Sequence, residues 1–303
     1  MTFQNGIERI SDNLYLITLV PPMKGFGDFI GVWVKTGDPA YLIDVGPTST
    51  VGRLEQALDQ LKIKRLDYIF ITHIHIDHAG GIGDFSNLFP DTPIICHKTA
   101  IPHLKDPAKL WEGSLKTLGD MARSYGEIKP VLKNPVIDAA DFKNEHVLPI
   151  ITPGHAPHHV SFLTPLCLFA GETCGVHIRF PSGHEYLRPA TPPKFFLETS
   201  ISSIDLLLRH HPENICFGHF GISDNAVYWL TSHRAQLLLW KDVIRDELKN
   251  VGEESFFTDC IERLKREDPR LACFQELTPD QQGRETYFMT NSIKGYVGYL
   301  QSA

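Results

Sequence analysis

The chain has 303 residues, of which 42% are hydrophobic and 21% are charged, with a formal net charge of −7. This composition is typical of a globular protein with a sizeable core, and it argues against intrinsic disorder. The acidic balance and the lack of a Lys/Arg block argue against a nucleic-acid partner, so we expect a small-molecule substrate.

The cysteines and the apolar segments indicate in which cellular compartment the protein is expected. No apolar run approaches the ~20 residues that a membrane-spanning helix needs, and the first residues lack the pattern of a secretion signal. The six cysteines form no CxxC pair, so we expect reduced, buried thiols. Together these features predict a cytoplasmic protein without membrane association.

The first part of the chain predicts short strands separated by tight turns. Segments 13–20, 29–36 and 40–45 are rich in β-branched and aromatic residues and are bounded by Gly, Pro and Asp. Apolar positions at helical spacing predict a helix over 51–61. Residues 65–71 then predict a buried strand that runs directly into a histidine-rich segment.

The middle of the chain continues the alternation of strands and helices. After a short helix ending near residue 89, the predicted elements are a strand at 93–96, a helical insertion at 106–125, strands at 145–152, 160–163 and 166–170, a helix at 194–210 and a strand at 214–217. Residues 179–193, rich in Pro, Gly and charge, predict a long ordered loop.

The composition changes near residue 223. Segments 223–250, 253–267 and 280–301 have helical periodicity and few strand signals. The sequence therefore predicts a main domain over 1–222 and a helical C-terminal extension over 223–303 that packs on it. These helices are candidates for a homodimer face or a lid.

Four potential metal ligands lie within six residues, His73-Ile-His75-Ile-Asp77-His78. Alternate side chains of an extended segment point the same way, so both His73 and His75 can face one point, and Asp77 keeps that parity. Imidazole and carboxylate together suit a borderline divalent ion such as zinc, iron or manganese. The glycines that follow allow close approach of the backbone.

Two further histidines follow predicted strands and adjoin glycine. His155 lies in the segment Thr-Pro-Gly-His at 152–155, and His219 lies in Phe-Gly-His-Phe-Gly at 217–221. Taken alone, each is a common kind of loop histidine. Taken with the first cluster, both are predicted metal ligands.

These motifs together resemble the metallo-β-lactamase superfamily, and most closely its glyoxalase II-like hydrolase branch. The resemblance rests on THIHIDHAGG at 72–81, TPGHAPHHVSF at 152–162, FAGET at 169–173, FGHFG at 217–221 and Asp44 in a strand motif. It implies an α/β (α+β) fold, a four-layer αββα sandwich with a binuclear metal site. It covers the main domain and not the C-terminal helices.

The resemblance also implies how the ligands divide between two divalent ions, most simply zinc, with iron or manganese as alternatives. His73, His75 and His155 would bind one ion, and Asp77, His78 and His219 the other. The family normally bridges the ions with an aspartate, whereas this chain has Glu172 at that position. The longer side chain leaves three alternatives open: a bridge, a ligand to one ion with a weak second site, or a glutamate outside the metal ligands.

Other positions have supporting or substrate roles in this interpretation. Asp44 and His159 would hold the site from outside the ligand set. His158 faces the substrate or is a surface histidine. Anionic substrate groups could meet basic and aromatic residues, each alternatively a surface residue. These are His177, Arg179, His184, Tyr186 and Arg188.

The implied activity is hydrolysis of an ester, thioester, lactone or related substrate by a metal-activated hydroxide, with Asp77 as ligand and proton carrier. No GxSxG motif competes as a nucleophile. Gly175 stands where lactonases of the superfamily often have tyrosine, which disfavours homoserine lactones. Three alternatives remain open: a phosphodiesterase, a mono-iron redox enzyme resembling persulfide dioxygenases, and a non-catalytic metal-binding sensor.

Overall fold

The computed structural model describes residues 6–250 and 255–302. The chain divides into two compact units, Met1–Ile151 and Thr152–Ala303. The boundary predicted between residues 222 and 223 rests on composition and stays a prediction. None of the helices in the described ranges combines the length and apolar character that crossing a membrane requires.

The first unit contains a seven-stranded sheet whose strands neighbour one another in chain order. The strands are β1 (Ile7–Arg9), β2 (Leu14–Leu19), β3 (Ile30–Lys35), β4 (Tyr41–Ile43), β5 (Tyr68–Phe70), β6 (Ile94–Cys96) and β7 (Val136–Asp138), and β8 (Leu148–Ile151) ends the unit. The pairs from β1 to β4 are antiparallel, and those from β4 to β7 are parallel. Because Ile43 pairs with Phe70, the residues that follow β4 and β5 emerge side by side.

The helices of the first unit are short. They are α1 (Val51–Gln60), α2 (Ile76–Ala79), α3 (Ile82–Ser86), α4 (Ile101–Lys105), α5 (Ala108–Leu118) and α6 (Asp120–Tyr125). The prediction of a helix at 51–61 is confirmed, and α1 buries Leu54, Ala57 and Leu58. The helical insertion predicted at 106–125 is present but is interrupted by Gly119, whose positive φ of 56° cannot continue a helix.

The second unit has its own strands. They are β9 (Val160–Leu163), β10 (Leu168–Gly171), β11 (Val176–Arg179), β12 (Glu185–Arg188), β13 (Ile215–Phe217) and β14 (Ile222–Ser223). Strand β10 lies between β9, to which it is antiparallel, and β13, to which it is parallel. The parallel pair matters for the site, because both of its strands end at the same edge.

The long loop predicted at 179–193 is wrong in part. Strands β11 and β12 form an antiparallel hairpin in which Val176 pairs with Arg188. The turn uses Gly183, whose φ of 87° favours glycine. The Pro and Gly content of this stretch concealed a second strand whose last residues, Tyr186 to Arg188, are buried.

Helices make up most of the second unit. They are α7 (Leu197–Leu208), α8 (Ala226–Asn250), α9 (Phe256–Glu267) and α10 (Pro279–Ser302). The helices predicted after residue 223 are confirmed, apart from positions 253 and 254, which lie outside the described residues. Their packing includes buried polar contacts: the Trp240 indole donates to Asp268 Oδ2 at 2.7 Å, and the Tyr296 hydroxyl donates to the Leu237 carbonyl at 3.0 Å.

Candidate metal centre

The first cluster of candidate metal ligands, called the first ligand cluster below, lies where β5 ends and α2 begins. His73 follows the strand, His75 is the N-cap residue of α2, and Asp77 and His78 lie in its single turn. Ile74 and Ile76 alternate with the ligands and are buried. His73 and His78 are as buried as these isoleucines, so their imidazoles are enclosed by the fold.

Asp44 holds this cluster together. Its Oδ1 accepts from the Thr72 amide at 2.8 Å, and its Oδ2 accepts from the Thr72 hydroxyl at 2.8 Å and lies 2.9 Å from His78 Nδ1. Its φ of 63° lies in the left-handed region, where aspartate is better tolerated than most residues. One buried carboxylate therefore ties the end of β5 to α2, as the predicted supporting role requires.

The imidazoles of this cluster are closely grouped. The ring centroid of His73 lies 4.6 Å from that of His75 and 4.2 Å from that of His78. The Thr72 hydroxyl donates to Asp44, so it can accept from His73 Nδ1 at 3.0 Å. With Nδ1 of both His73 and His78 engaged by oxygen, Nε2 is the ring nitrogen that each can offer to a metal ion.

The second ligand cluster is assembled by the parallel pair of strands. Glu172 follows β10, and His219 follows β13 after Gly218. The Gly218 amide donates to the Gly171 carbonyl at 3.0 Å, and a Cβ on Gly218 would lie only 2.7 Å from the Gly171 carbonyl carbon. Glycine is therefore required where the two strand ends meet, which supports the close approach inferred from the sequence.

Glu172 lies between two histidines. Its Oε2 is 2.7 Å from His155 Nε2, and its Oε1 is 3.0 Å from His219 Nε2. Burial raises the pKa of this carboxyl group, but the two imidazoles outweigh that effect and hold it well below its usual range. The carboxylate is therefore ionised, as a metal ligand must be.

His155 is oriented by the main chain. Its Nδ1 lies 2.7 Å from the Ala190 carbonyl oxygen, which can only accept a hydrogen bond. Nδ1 therefore carries a proton, and Nε2 points toward Glu172. Sequence reasoning missed Ala190, because a carbonyl group gives no signal in the residue type.

His159 lies outside the ligand cluster and supports it. Its Nε2 accepts from the Glu172 amide at 3.0 Å, while Nδ1 lies 2.9 Å from the Thr152 hydroxyl. The ring is fully buried. This contact fixes the backbone from which the Glu172 side chain extends.

The predicted substrate residues are placed differently from one another. His177 is fully buried, with its ring stacked on Phe217 at a centroid distance of 4.2 Å and its Nε2 3.3 Å from Glu185. Arg188 is buried and paired with Glu285. His158 is half-buried and Arg179 is exposed. Their substrate-binding roles stay predictions, and the contacts of His177 and Arg188 are internal to the fold.

Each unit thus carries a cluster of imidazole and carboxylate groups that could take part in holding a metal ion. The members are His73, His75, Asp77 and His78 in the first unit, and His155, Glu172 and His219 in the second. The donor set fits divalent ions such as zinc, because an oxygen engages Nδ1 of His73, His78 and His155 and so makes Nε2 the ring nitrogen suited to bind a metal ion.

The chain is similar in sequence and in structure to an archaeal protein. ST1585 from Sulfurisphaera tokodaii, a metallo-β-lactamase fold-containing protein, is 26% identical over 230 residues, covering 72% of this chain and 82% of that protein. Its crystal structure matches 75% of this chain and 87% of that chain with a TM-score of 0.62.

Two relatives with named activities match over shorter stretches. A hydroxyacylglutathione hydrolase from Idiomarina loihiensis is 28% identical over 166 residues, which cover 54% of this chain and 52% of that protein. A coenzyme F420H(2) oxidase from Methanothermobacter marburgensis is 32% identical over 149 residues, which cover 44% of this chain and 37% of that protein. The chain therefore spans about half or less of the length of these two relatives.

The family itself is established by a match to more than half of the chain. The sequence profile described as metallo-beta-lactamase superfamily matches residues 31–219. The mixed α/β architecture, with its helical C-terminal region, confirms the predicted fold class. This chain belongs to the metallo-β-lactamase superfamily.

Proposed function

We propose that this protein is a metal-dependent hydrolase that acts on an ester, thioester or related small-molecule acyl substrate. The observation that carries the proposal is the pair of buried ligand clusters in which His73, His78 and His155 each have Nδ1 engaged by an oxygen. Such anchoring fixes the tautomer in which Nε2 can bind a metal ion.

The ligands are proposed to divide between two divalent ions. His73, His75 and His155 would hold one ion, Asp77, His78 and His219 would hold the other, and Glu172 would contact both. The carboxylate of Glu172 supports this role because its two oxygens already face Nε2 of two different histidines. Bound divalent ions would supply Lewis acidity, which lowers the pKa of water and polarises a carbonyl group.

The residues of the chain have distinct tasks in this reaction. Asp44 and the Ala190 carbonyl orient the imidazoles. Asp77 is the candidate proton carrier, because its carboxylate retains 17% exposure while His78 beside it is almost fully buried. A partly exposed carboxylate can exchange a proton directly with substrate or solvent.

The substrate class is proposed from chemistry and from the relatives together. A centre of this kind is suited to attack on carbonyl carbon. One relative is named as a hydroxyacylglutathione hydrolase, which supports thioesters as the first substrates to test. The acidic net charge of −7 gives no support to nucleic-acid phosphodiesters.

The test combines elemental analysis with a substrate panel. We expect about two zinc ions per chain and hydrolysis of acyl thioesters or esters above the activity on bis(p-nitrophenyl) phosphate. Activity on the phosphodiester alone would instead identify a phosphodiesterase. Full metal content with no turnover on a broad panel would identify a binding or sensing protein.

A redox function is the second candidate, because one relative is named as an oxidase and because Glu172 replaces the usual aspartate. The extra methylene of glutamate makes its carboxylate less constrained than that of aspartate, which leaves room for a site with a single ion. Iron as the dominant metal, together with oxygen consumption in the presence of a persulfide or another reductant, would favour this candidate over hydrolysis.

A further inference from the structure

The segment after β12, residues 189–192, is held by the C-terminal helix α10. The Ser292 hydroxyl donates to the Pro189 carbonyl at 3.1 Å and accepts from the Thr191 amide at 3.4 Å. The Thr191 hydroxyl donates to the Ser292 carbonyl at 3.0 Å. Three hydrogen bonds to one helical residue therefore fix the residues on both sides of Ala190.

A close backbone contact fixes the next residue as well. Gly295 packs against Pro192, and a Cβ at Gly295 would lie 2.3 Å from the Pro192 carbonyl oxygen. Ser292 and Gly295 are three positions apart and so share one face of α10. Any larger residue at 295 would push residues 189–192 away from the helix.

The same face of α10 carries a buried charge that ties it to β12. Glu285 accepts hydrogen bonds from Arg188 and, at 2.8 Å, from Arg284. Arg188 also donates to the Pro189 carbonyl at 3.2 Å. Breaking a buried ion network of this kind is costly, so the helix and the segment keep one register.

Ala190 is the residue between these anchors, and its carbonyl accepts the hydrogen bond from His155 Nδ1. We propose that α10 is a positioning element for the metal ligand His155, acting from Ser292 and Gly295 through the Ala190 carbonyl. The inference rests on the proposed role of His155 as a ligand. It gives a function to a helix outside the stretch, 31–219, that defines the family.

The Ala190 carbonyl controls the tautomer and the ring orientation of His155. A carbonyl that is held in place keeps the proton on Nδ1 and leaves Nε2 to bind the ion. If the carbonyl moves, the hydrogen bond lengthens and the imidazole can rotate. Outer contacts of this kind typically change metal affinity by about 10- to 100-fold.

The experiment uses the zinc-loaded full-length protein and three variants. Ser292→Ala removes two of the hydrogen bonds, and Gly295→Ala displaces the segment. Thr290→Ala is the matched control, because its hydroxyl donates to the Thr286 carbonyl within the same helix. Zinc affinity is measured by competition with a chromophoric chelator, and the Nδ1–H of His155 is followed by NMR of protein labelled with ¹⁵N-histidine.

We expect Ser292→Ala to weaken zinc binding about tenfold and Gly295→Ala to weaken it more, with faster exchange of the His155 Nδ1–H proton in both. Thr290→Ala should match the wild type. Unchanged zinc affinity and proton exchange in Ser292→Ala would overturn the inference even if Gly295→Ala does not fold. An equal loss of affinity in Thr290→Ala would also overturn it, since the effect would then be general destabilisation.

A fourth variant separates this inference from the proposed function. His155→Ala should lose one zinc ion per chain. If it keeps the zinc content and affinity of the wild type, the ligand assignment itself fails. If it loses zinc while Ser292→Ala and Gly295→Ala do not, only the role of α10 fails.

Discussion

The two units build their ligand clusters in different ways. The first unit places four candidate ligands within the six residues from His73 to His78, at the junction of one strand and one helix. The second unit draws His155, Glu172 and His219 from three separate segments. A cluster encoded locally can be recognised from its spacing alone, whereas a dispersed cluster depends on strand pairing to exist.

The groups that hold the two clusters in place are likewise concentrated in the first unit and dispersed in the second. A single side chain, Asp44, holds Thr72 and His78 of the first cluster. The second cluster depends on the backbone amide of Glu172, which donates to His159, and on the Ala190 carbonyl, which lies beside α10. Damage to the first cluster should therefore come from substitutions at few positions, and damage to the second from many.

The largest expected effect is from His75→Ala in the local cluster. Loss of a ligand should reduce bound metal and cost about 4 kcal/mol of transition-state stabilisation, a factor of about 10³ in rate. His146→Ala is the control, since its side chain is half exposed. Elemental analysis and initial rates decide the result, and a variant with full metal and full rate would refute the site.

The next effect concerns the dispersed cluster. Glu172→Gln keeps the size of the side chain but removes the charge that faces His155 and His219, so we expect loss of metal and a rate about 10²-fold lower. Glu172→Asp keeps the charge with a shorter reach and should have an intermediate effect. If Glu172→Asp changes neither the metal stoichiometry nor the rate, Glu172 is not a distinctive ligand.

A smaller effect is expected from Asp44→Asn, which tests whether one side chain supports the first cluster. The amide group has only one accepting oxygen, so it cannot accept all three hydrogen bonds that the carboxylate takes from the Thr72 amide, the Thr72 hydroxyl and His78. Zinc affinity should fall about 10- to 100-fold, as measured by chelator competition. Asp84→Asn is the control, because its pair with Lys129 is largely solvent-exposed and worth little. Equal affinities in the two variants would contradict the assignment.

The smallest expected effect is on the pH dependence of stability, through the buried His233 of the second unit. Burial lowers the pKa of His233 to about 4, although a hydrogen bond to Gln236 opposes the shift. The unfolded chain then binds a proton that the native state does not, so stability falls as pH falls from about 6.5 toward 4. Chemical unfolding measures the effect. Between pH 7.5 and pH 5.5, the free energy of unfolding should fall by about 1 kcal/mol more in the wild type than in His233→Gln. Parallel pH profiles for the two proteins would exclude this contribution.

Sequence reasoning succeeded where the pattern was local. The strands around the first cluster and the helices after residue 223 follow from apolar periodicity, and the structure contains them. It failed at the hairpin of β11 and β12, because Pro, Gly and charge concealed strands that bury Tyr186 and Arg188. Partners that packing brings together from distant positions, such as Arg188 and Glu285 at a separation of 97 residues, leave no local pattern to read.

The sequence by itself determined the family, through short motifs between residues 44 and 221, and it predicted the candidate ligands, since each motif is a local pattern of residue types. Only the tertiary structure decided which atoms support those ligands. The Thr72 hydroxyl, the Ala190 carbonyl and the register of α10 matter through distances set by strand pairing and helix packing. A main-chain carbonyl is chemically the same at every residue, so only its position can make it part of a site.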